Sequence, residues 1–132
     1  MAASPVLADS SFYIRSLRER RDPLQELALA AATREVAVCG VVCCEVGRAI
    51  RNEAALAKFH RAWGVMRYVP TDNSLWAEVE RQLWELDRRG TVISLPDMII
   101  ACSARRIGAQ LLSYDEAFDL IPGVRRTSKL DY

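Results

Sequence analysis

Histidine and lysine are nearly missing from this chain of 132 residues: His60 is the sole histidine, and Lys58 and Lys129 are the only lysines. With one histidine, and with Cys39, Cys43, Cys44 and Cys102 forming no Cys-x-x-Cys pair, a structural zinc site is not expected. Charge of one sign is lacking too. The 18 basic and 17 acidic residues leave a net charge of +1, which gives no global basic field of the kind that attracts duplex nucleic acid. No apolar stretch reaches the ~18 residues of a membrane span, and Met-Ala-Ala-Ser-Pro has none of the basic and apolar character of a signal peptide. A cytoplasmic protein with no membrane contact is expected. Internal repeats and low-complexity tracts are also missing.

What remains is an ordinary globular composition, 51% hydrophobic and 27% charged, of a length that suits one domain over residues 1–132. The basic residues are nearly all arginine, the better bidentate ligand for phosphate and carboxylate. Cys39, Cys43 and Cys44 lie in an apolar run, where thiols are expected to be buried and reduced.

Strand and helix signals alternate along the chain. Pro5 to Ala8 reads as a strand, followed by a helix with a serine, Ser10 or Ser11, as its cap. Asp22-Pro23 opens a second helix with Leu24 and Leu27 on its apolar face. Val36 to Val42 reads as a central strand covered on both sides. A helix carrying Val46, Ile50, Leu56, Phe59 and Trp63 follows from Cys43 to Gly64, with Glu45 in its first turn. Val65 to Val69 is a short strand or link. Leu75, Val79, Leu83 and Leu86 mark a helix closed by Arg88-Arg89-Gly90. Leu95 to Ile107 is a further helix, Ala109 to Ser113 a buried strand, Glu116 to Ile121 a helical turn, and an edge strand begins near Val124. Such spacing requires crossover connections. The expected fold is a three-layer α/β/α sandwich around a mainly parallel sheet of four or five strands.

Asp9, Glu45, Asp97 and Asp115 each fall close to an apolar strand-like run, where an α/β fold gathers groups over one edge of its sheet. Carboxylates packed together repel one another unless a cation or proton joins them. Oxygen ligands without a histidine cluster suit Mg2+ or Mn2+, ions that polarise a phosphodiester and neutralise the charge of an in-line displacement. Taken singly, Asp9 and Asp97 read equally well as helix caps, Glu45 as a partner of a helix dipole and Asp115 as a turn residue.

The runs Val6-Leu7-Ala8-Asp9-Ser10-Ser11, Cys44-Glu45-Val46, Pro96-Asp97-Met98-Ile99-Ile100-Ala101 and Leu111-Leu112-Ser113-Tyr114-Asp115-Glu116-Ala117-Phe118 resemble the successive motifs of PIN-domain ribonucleases. The likeness is strongest to VapC-type toxins of bacterial toxin-antitoxin pairs, and it covers nearly the whole chain. The resemblance implies a metal-dependent endoribonuclease holding Mg2+ or Mn2+ on Asp9, Glu45, Asp97 and Asp115. A homodimer silenced by a cognate antitoxin is implied with it. Ser113 stands where the family usually has threonine, and keeps the hydroxyl. Ser11 takes the small hydroxyl position beside the first acid, either orienting Asp9 and a water or capping the helix. Asp119 lies outside the implied set.

Arg48 and Arg51 after Glu45, and Arg105 and Arg106 after Asp97, are candidates for RNA phosphate contacts, although solvated helix faces also carry arginine. Trp76 shares a stripe with Val79 and Leu83 and is expected to pack; Trp84 lies off it, as a partner surface requires. His60 reads as a partly exposed helical residue. The competing functions are an RNA- or protein-binding domain of this fold that does not cleave, and an aspartyl-phosphate receiver or phosphatase. Ser10 and Ser11 after Asp9 leave the last two without their adjacent acids or Asp-x-Asp.

Overall fold

Val6, Leu7 and Ala8 are apolar without alternation and form a strand, β1 (Val6–Ala8), with no exposed surface, as a strand covered on both faces must be. The computed structural model describes residues 3–130. β2 (Val36–Cys39), β3 (Arg67–Val69), β4 (Gln110–Leu112) and β5 (Arg125–Thr127) complete a sheet of order β3-β2-β1-β4-β5 in which every pairing is parallel. The helices are α1 (Ser10–Arg18), α2 (Pro23–Ala30), α3 (Gly40–Gly47), α4 (Glu53–Gly64), α5 (Asn73–Arg88) and α6 (Leu95–Arg106), with a 3-10 turn over Glu116–Leu120. Right-handed crossovers place α5 and α6 on the sheet face opposite α1 and α2, giving the expected three layers. Tyr13, Phe59 and Trp63 bind α1 to α4, their rings edge-on or tilted at 5.5–6.2 Å and the Trp63 indole donating to the Tyr13 hydroxyl at 3.3 Å.

Several expectations need correction. The strand expected over Val36 to Val42 stops at Cys39, and α3 starts at Gly40, so Glu45 falls in the second helical turn. A Cβ on residue 40 would sit 2.6 Å from the Tyr68 hydroxyl, so a larger residue there would have to push aside the end of that exposed side chain. The single helix expected from Cys43 to Gly64 is two, because Asn52 accepts from the Ala55 amide at 3.0 Å and caps a new helix. Asp9, not a serine, caps α1. Trp76 is 45% exposed: Leu75, Val79 and Leu86 hold the buried stripe, and Trp76 is turned roughly 100° away from Leu75. Cys44 is exposed and Cys43 half-buried, its thiol pushed up to about 11 by burial, whereas Cys39 is buried as expected; Cys102 is buried too. No helix of the described residues is long and apolar enough to cross a membrane.

Helix α1 ends in a Schellman turn, in which the Arg21 amide reaches the Ser16 carbonyl at 2.8 Å and the Arg20 amide reaches the Leu17 carbonyl at 3.2 Å. α5 and α6 end the same way with Gly90 and Gly108 in the left-handed position, but α1 places Arg20 there at φ 58°. A side chain is strained in that region. Arg20→Gly should therefore raise stability by about 0.5–1 kcal/mol, read as a rise of roughly 3 °C in Tm by calorimetry; an unchanged or lower Tm would show that the Arg20 side chain offsets the strain.

Candidate metal and RNA site

Strand order decides where the chemistry gathers. From β1 the chain winds outward through β2 and β3, then crosses back to place β4 on the other side of β1. The switch between β1 and β4 opens a crevice at the carboxyl ends of the strands, the usual ligand position in a doubly wound sheet. Asp9 follows β1 directly, and Ser113, Tyr114 and Asp115 follow β4. The cleft there has a volume of about 390 Å³ and is lined by Asp9, Asp97, Asp115, Tyr114, Arg15 and Arg18 among others. A larger groove of about 710 Å³ lies at the amino ends of β2 and β3, against Leu24, Leu27, Val36 and Met66. Its one carboxylate, Glu35, is paired with Arg67 at 2.8 Å, so the larger volume offers no comparable chemistry.

Serine hydroxyls hold the acids in position. Asp9 is buried; its Oδ2 accepts from the Ser113 hydroxyl at 2.8 Å and from the Ser11 amide at 3.4 Å. The Ser10 hydroxyl lies 2.8 Å from Glu45 Oε1 and 3.3 Å from Asp9 Oδ1, bridging α1 to α3. A further chain fixes the direction of these protons. The Tyr114 amide donates to Ser11 Oγ at 3.2 Å, and Ser11 Oγ lies 3.1 Å from Ser113 Oγ, which also accepts from the Asp115 amide at 3.0 Å. With the Ser113 proton committed to Asp9, the Ser11 hydroxyl is left to donate to Ser113. Ser11 therefore neither caps α1 nor touches Asp9 through its hydroxyl.

Asp97 stands in the first turn of α6, whose cap is Ser94, and is half-buried. Its carboxyl is raised above the ordinary aspartate range, first by burial and then by the charges of Asp9, Asp115 and Glu45, with the Ser94 hydroxyl pulling the other way. Asp115 caps the 3-10 turn by accepting from the Ala117 amide at 2.9 Å. Asp9, Asp97 and Asp115 thus line one cleft, Glu45 is tied to Asp9 through Ser10, and Asp9 and Asp115 also serve as caps. The donor set is wholly oxygen and fits a hard divalent cation, although among the described residues no three His, Cys, Asp or Glu side chains are gathered to hold a metal ion.

The arginines fall differently from expectation. Arg105 is spent within the fold, donating to Gln82 Oε1 at 2.7 Å, Glu78 Oε1 at 2.7 Å and the Pro122 carbonyl at 2.6 Å. Arg106 pairs with Asp72 at 2.9 Å and also bonds Ser74. Arg48 caps the end of α3 and Arg51 lies in the link before α4, both exposed, and neither lines the cleft. Arg15 and Arg18 do line it, as does Ser10 at its edge, and none of the three stood out in the sequence as more than helix surface or cap. Asp119 is held by both oxygens on Arg126 at 2.9 Å, outside the site as expected.

Known proteins share this arrangement of elements. Ribonuclease VapC21 of Mycobacterium tuberculosis is 28% identical over 125 residues, covering 86% of this chain and 80% of the relative. VapBC of Salmonella typhimurium, solved bound to DNA, aligns with a TM-score of 0.78 at 18% identity over 95% of this chain and 98% of that one. VapBC2 of Rickettsia felis, solved bound to a DNA fragment from its promoter, gives 0.77 at 17% over 93% and 97%. The PIN domain pattern matches residues 6–124, a span from the start of β1 to the residue before β5 that takes in Asp9, Glu45, Asp97 and Asp115, and this chain belongs to the PIN domain family.

Proposed function

We propose that this chain is a metal-dependent endoribonuclease that acts as the toxin of a toxin-antitoxin pair. The observation that carries the reading is that Asp9, Asp97 and Asp115 line one cleft at the carboxyl ends of β1 and β4, with Glu45 joined to Asp9 through the Ser10 hydroxyl. A cation is the simplest partner for such a set. Asp9, Glu45, Asp97 and Asp115 are the residues that would hold Mg2+ or Mn2+, which when bound supplies Lewis-acid neutralisation of the charge that builds on a phosphodiester during in-line displacement.

The chain's own groups supply placement. Ser113 and Ser10 lock Asp9 and Glu45 into fixed rotamers, so that little reorganisation remains when a substrate arrives. Asp97, the raised carboxyl, takes up a proton more readily than an ordinary aspartate. The similarity to a curated ribonuclease and to VapBC complexes supports an RNA substrate and an antitoxin partner. The homodimer belongs to the same proposal, and Trp84, half exposed on α5 between Arg81 and Arg88, is the first residue to vary in testing an interface.

The test is cleavage of an RNA panel by the purified chain with Mn2+ or Mg2+ and with EDTA. Cleavage should require the metal and return when it is restored. Equal activity in EDTA would refute metal dependence, and RNA binding without cleavage under any metal would support the non-cleaving domain instead.

A further inference from the structure

A cleft walled by carboxylates repels the very polyanion it is proposed to cut, so an RNA strand needs positive charge close beside the acids. Two guanidinium groups meet that need. Arg15 and Arg18 extend from the face of α1 that also carries Ser11 and Ile14, and both line the acidic cleft. Arg15 is held in a defined pose: its Cζ lies 4.3 Å from the centre of the Tyr114 ring, and its Nε donates to Glu19 Oε2 at 3.1 Å. Tyr114 is itself fixed. Its ring stacks near Phe12 at 6.3 Å and 29°, its hydroxyl accepts from Arg21 Nη2 at 2.9 Å, and its amide is bound to Ser11.

Arg15 keeps its terminal nitrogens, and Arg18 its whole guanidinium, without hydrogen-bond partners among the described residues. Glu19 neutralises only the Nε side of Arg15. The free edge is the pair of parallel N–H donors that matches two phosphate oxygens. By contrast, the Tyr114 ring is occupied as a shelf for Arg15, which argues against its use as a base-stacking platform.

We propose that Arg15 and Arg18 form a phosphate-binding subsite at the rim of the cleft, holding a backbone phosphodiester of single-stranded RNA next to the one that is cleaved, with Tyr114 and Glu19 as positioning residues for Arg15. The proposal rests on the ribonuclease reading above. It places the specificity for a polyanion on α1, and the chemistry on the acids.

The experiment measures binding of a labelled single-stranded oligoribonucleotide by anisotropy over a series of salt concentrations, together with steady-state cleavage. Arg15→Ala and Arg18→Ala should each weaken binding about tenfold and reduce the slope of log K against log salt by about 0.7, the value for one phosphate contact on a single strand. KM should rise with kcat within about twofold, because the contact is made before and during reaction alike. Tyr114→Leu, which removes the aromatic shelf, should behave like Arg15→Ala. Arg15→Lys, which keeps charge without the planar edge, should retain most of the salt slope with weaker affinity. Unfolding temperatures within about 2 °C of wild type establish that the Arg15 and Arg18 variants are folded. Metal-dependent cleavage with KM and salt slope unchanged in both alanine variants would overturn the subsite alone. A wild-type chain that neither binds nor cleaves RNA would overturn the ribonuclease reading and the subsite with it.

Discussion

Asp97→Asn should reduce RNA cleavage about a thousandfold, equivalent to about 4 kcal/mol of transition-state stabilisation, while making the metal-free protein more stable at neutral pH. Both effects come from one charge. Burial first, and then the charges of Asp9, Asp115 and Glu45, make ionising Asp97 harder in the folded chain than in the unfolded one, where an aspartate titrates near ~3.9. Between that pH and the raised folded value, the folded state binds more protons than the unfolded state. Stability of the wild type therefore falls as pH rises through that window. Asparagine does not titrate and keeps the shape. In EDTA the variant and the wild type should unfold at the same temperature below about pH 4, with the variant pulling ahead as pH rises. A divalent cation should close the gap by stabilising the wild type. Calorimetry across pH with and without Mg2+, beside a cleavage assay, tests each part; a variant that is less stable at pH 7 or that still cleaves would remove Asp97 from the site.

Arg105→Ala should lower stability by about 2–3 kcal/mol, roughly 10 °C in Tm, and leave the salt dependence of RNA binding unchanged. The Arg105 side chain is 18% exposed and ties α6 to Glu78 and Gln82 on α5 and to the Pro122 carbonyl. Gly123, at φ 80°, lets the backbone pass close by: a Cβ there would meet Arg105 Cδ at 3.1 Å. Truncation leaves Glu78, Gln82 and a carbonyl without their donor at the seam between two helices. A variant with wild-type Tm and a weakened, less salt-sensitive RNA complex would restore Arg105 to the nucleic-acid surface.

The strands, most helices and the acids were legible because each sits at a boundary that local chemistry marks. Asp9 ends an apolar triplet, Asp97 follows a proline in a first helical turn, and Asp115 follows Leu111-Leu112-Ser113. The break between α3 and α4 was harder to read, since Ile50 and Leu56 continue an apolar spacing across it. Only Asn52 before Glu53 signalled a fresh cap. Arg15 and Arg105 show a different limit. Both are helical arginines near an acid in sequence, and which one faces the cleft depends on where Tyr114 and Pro122 arrive from the far end of the chain. Periodicity assigns a residue to a side of its helix, but not the neighbour that side will meet. Ser10 was masked in the same way: its hydroxyl matters because Glu45, 35 positions away, comes to lie beside it.

The sheet order also sets a timetable during synthesis. β1, β2 and β3 leave the ribosome in sequence and can pair in the order they emerge, but β1 presents an open edge until β4 arrives. Ser113, which holds Asp9, comes 104 positions after it; at roughly 5–20 residues per second this is an interval of about 5–20 s. A chain interrupted before β4 carries Asp9 and Glu45 but has neither the far wall of the cleft nor the hydroxyl that fixes the first acid. The hydroxyl that fixes Asp9 is thus among the last parts of the molecule to be put in place.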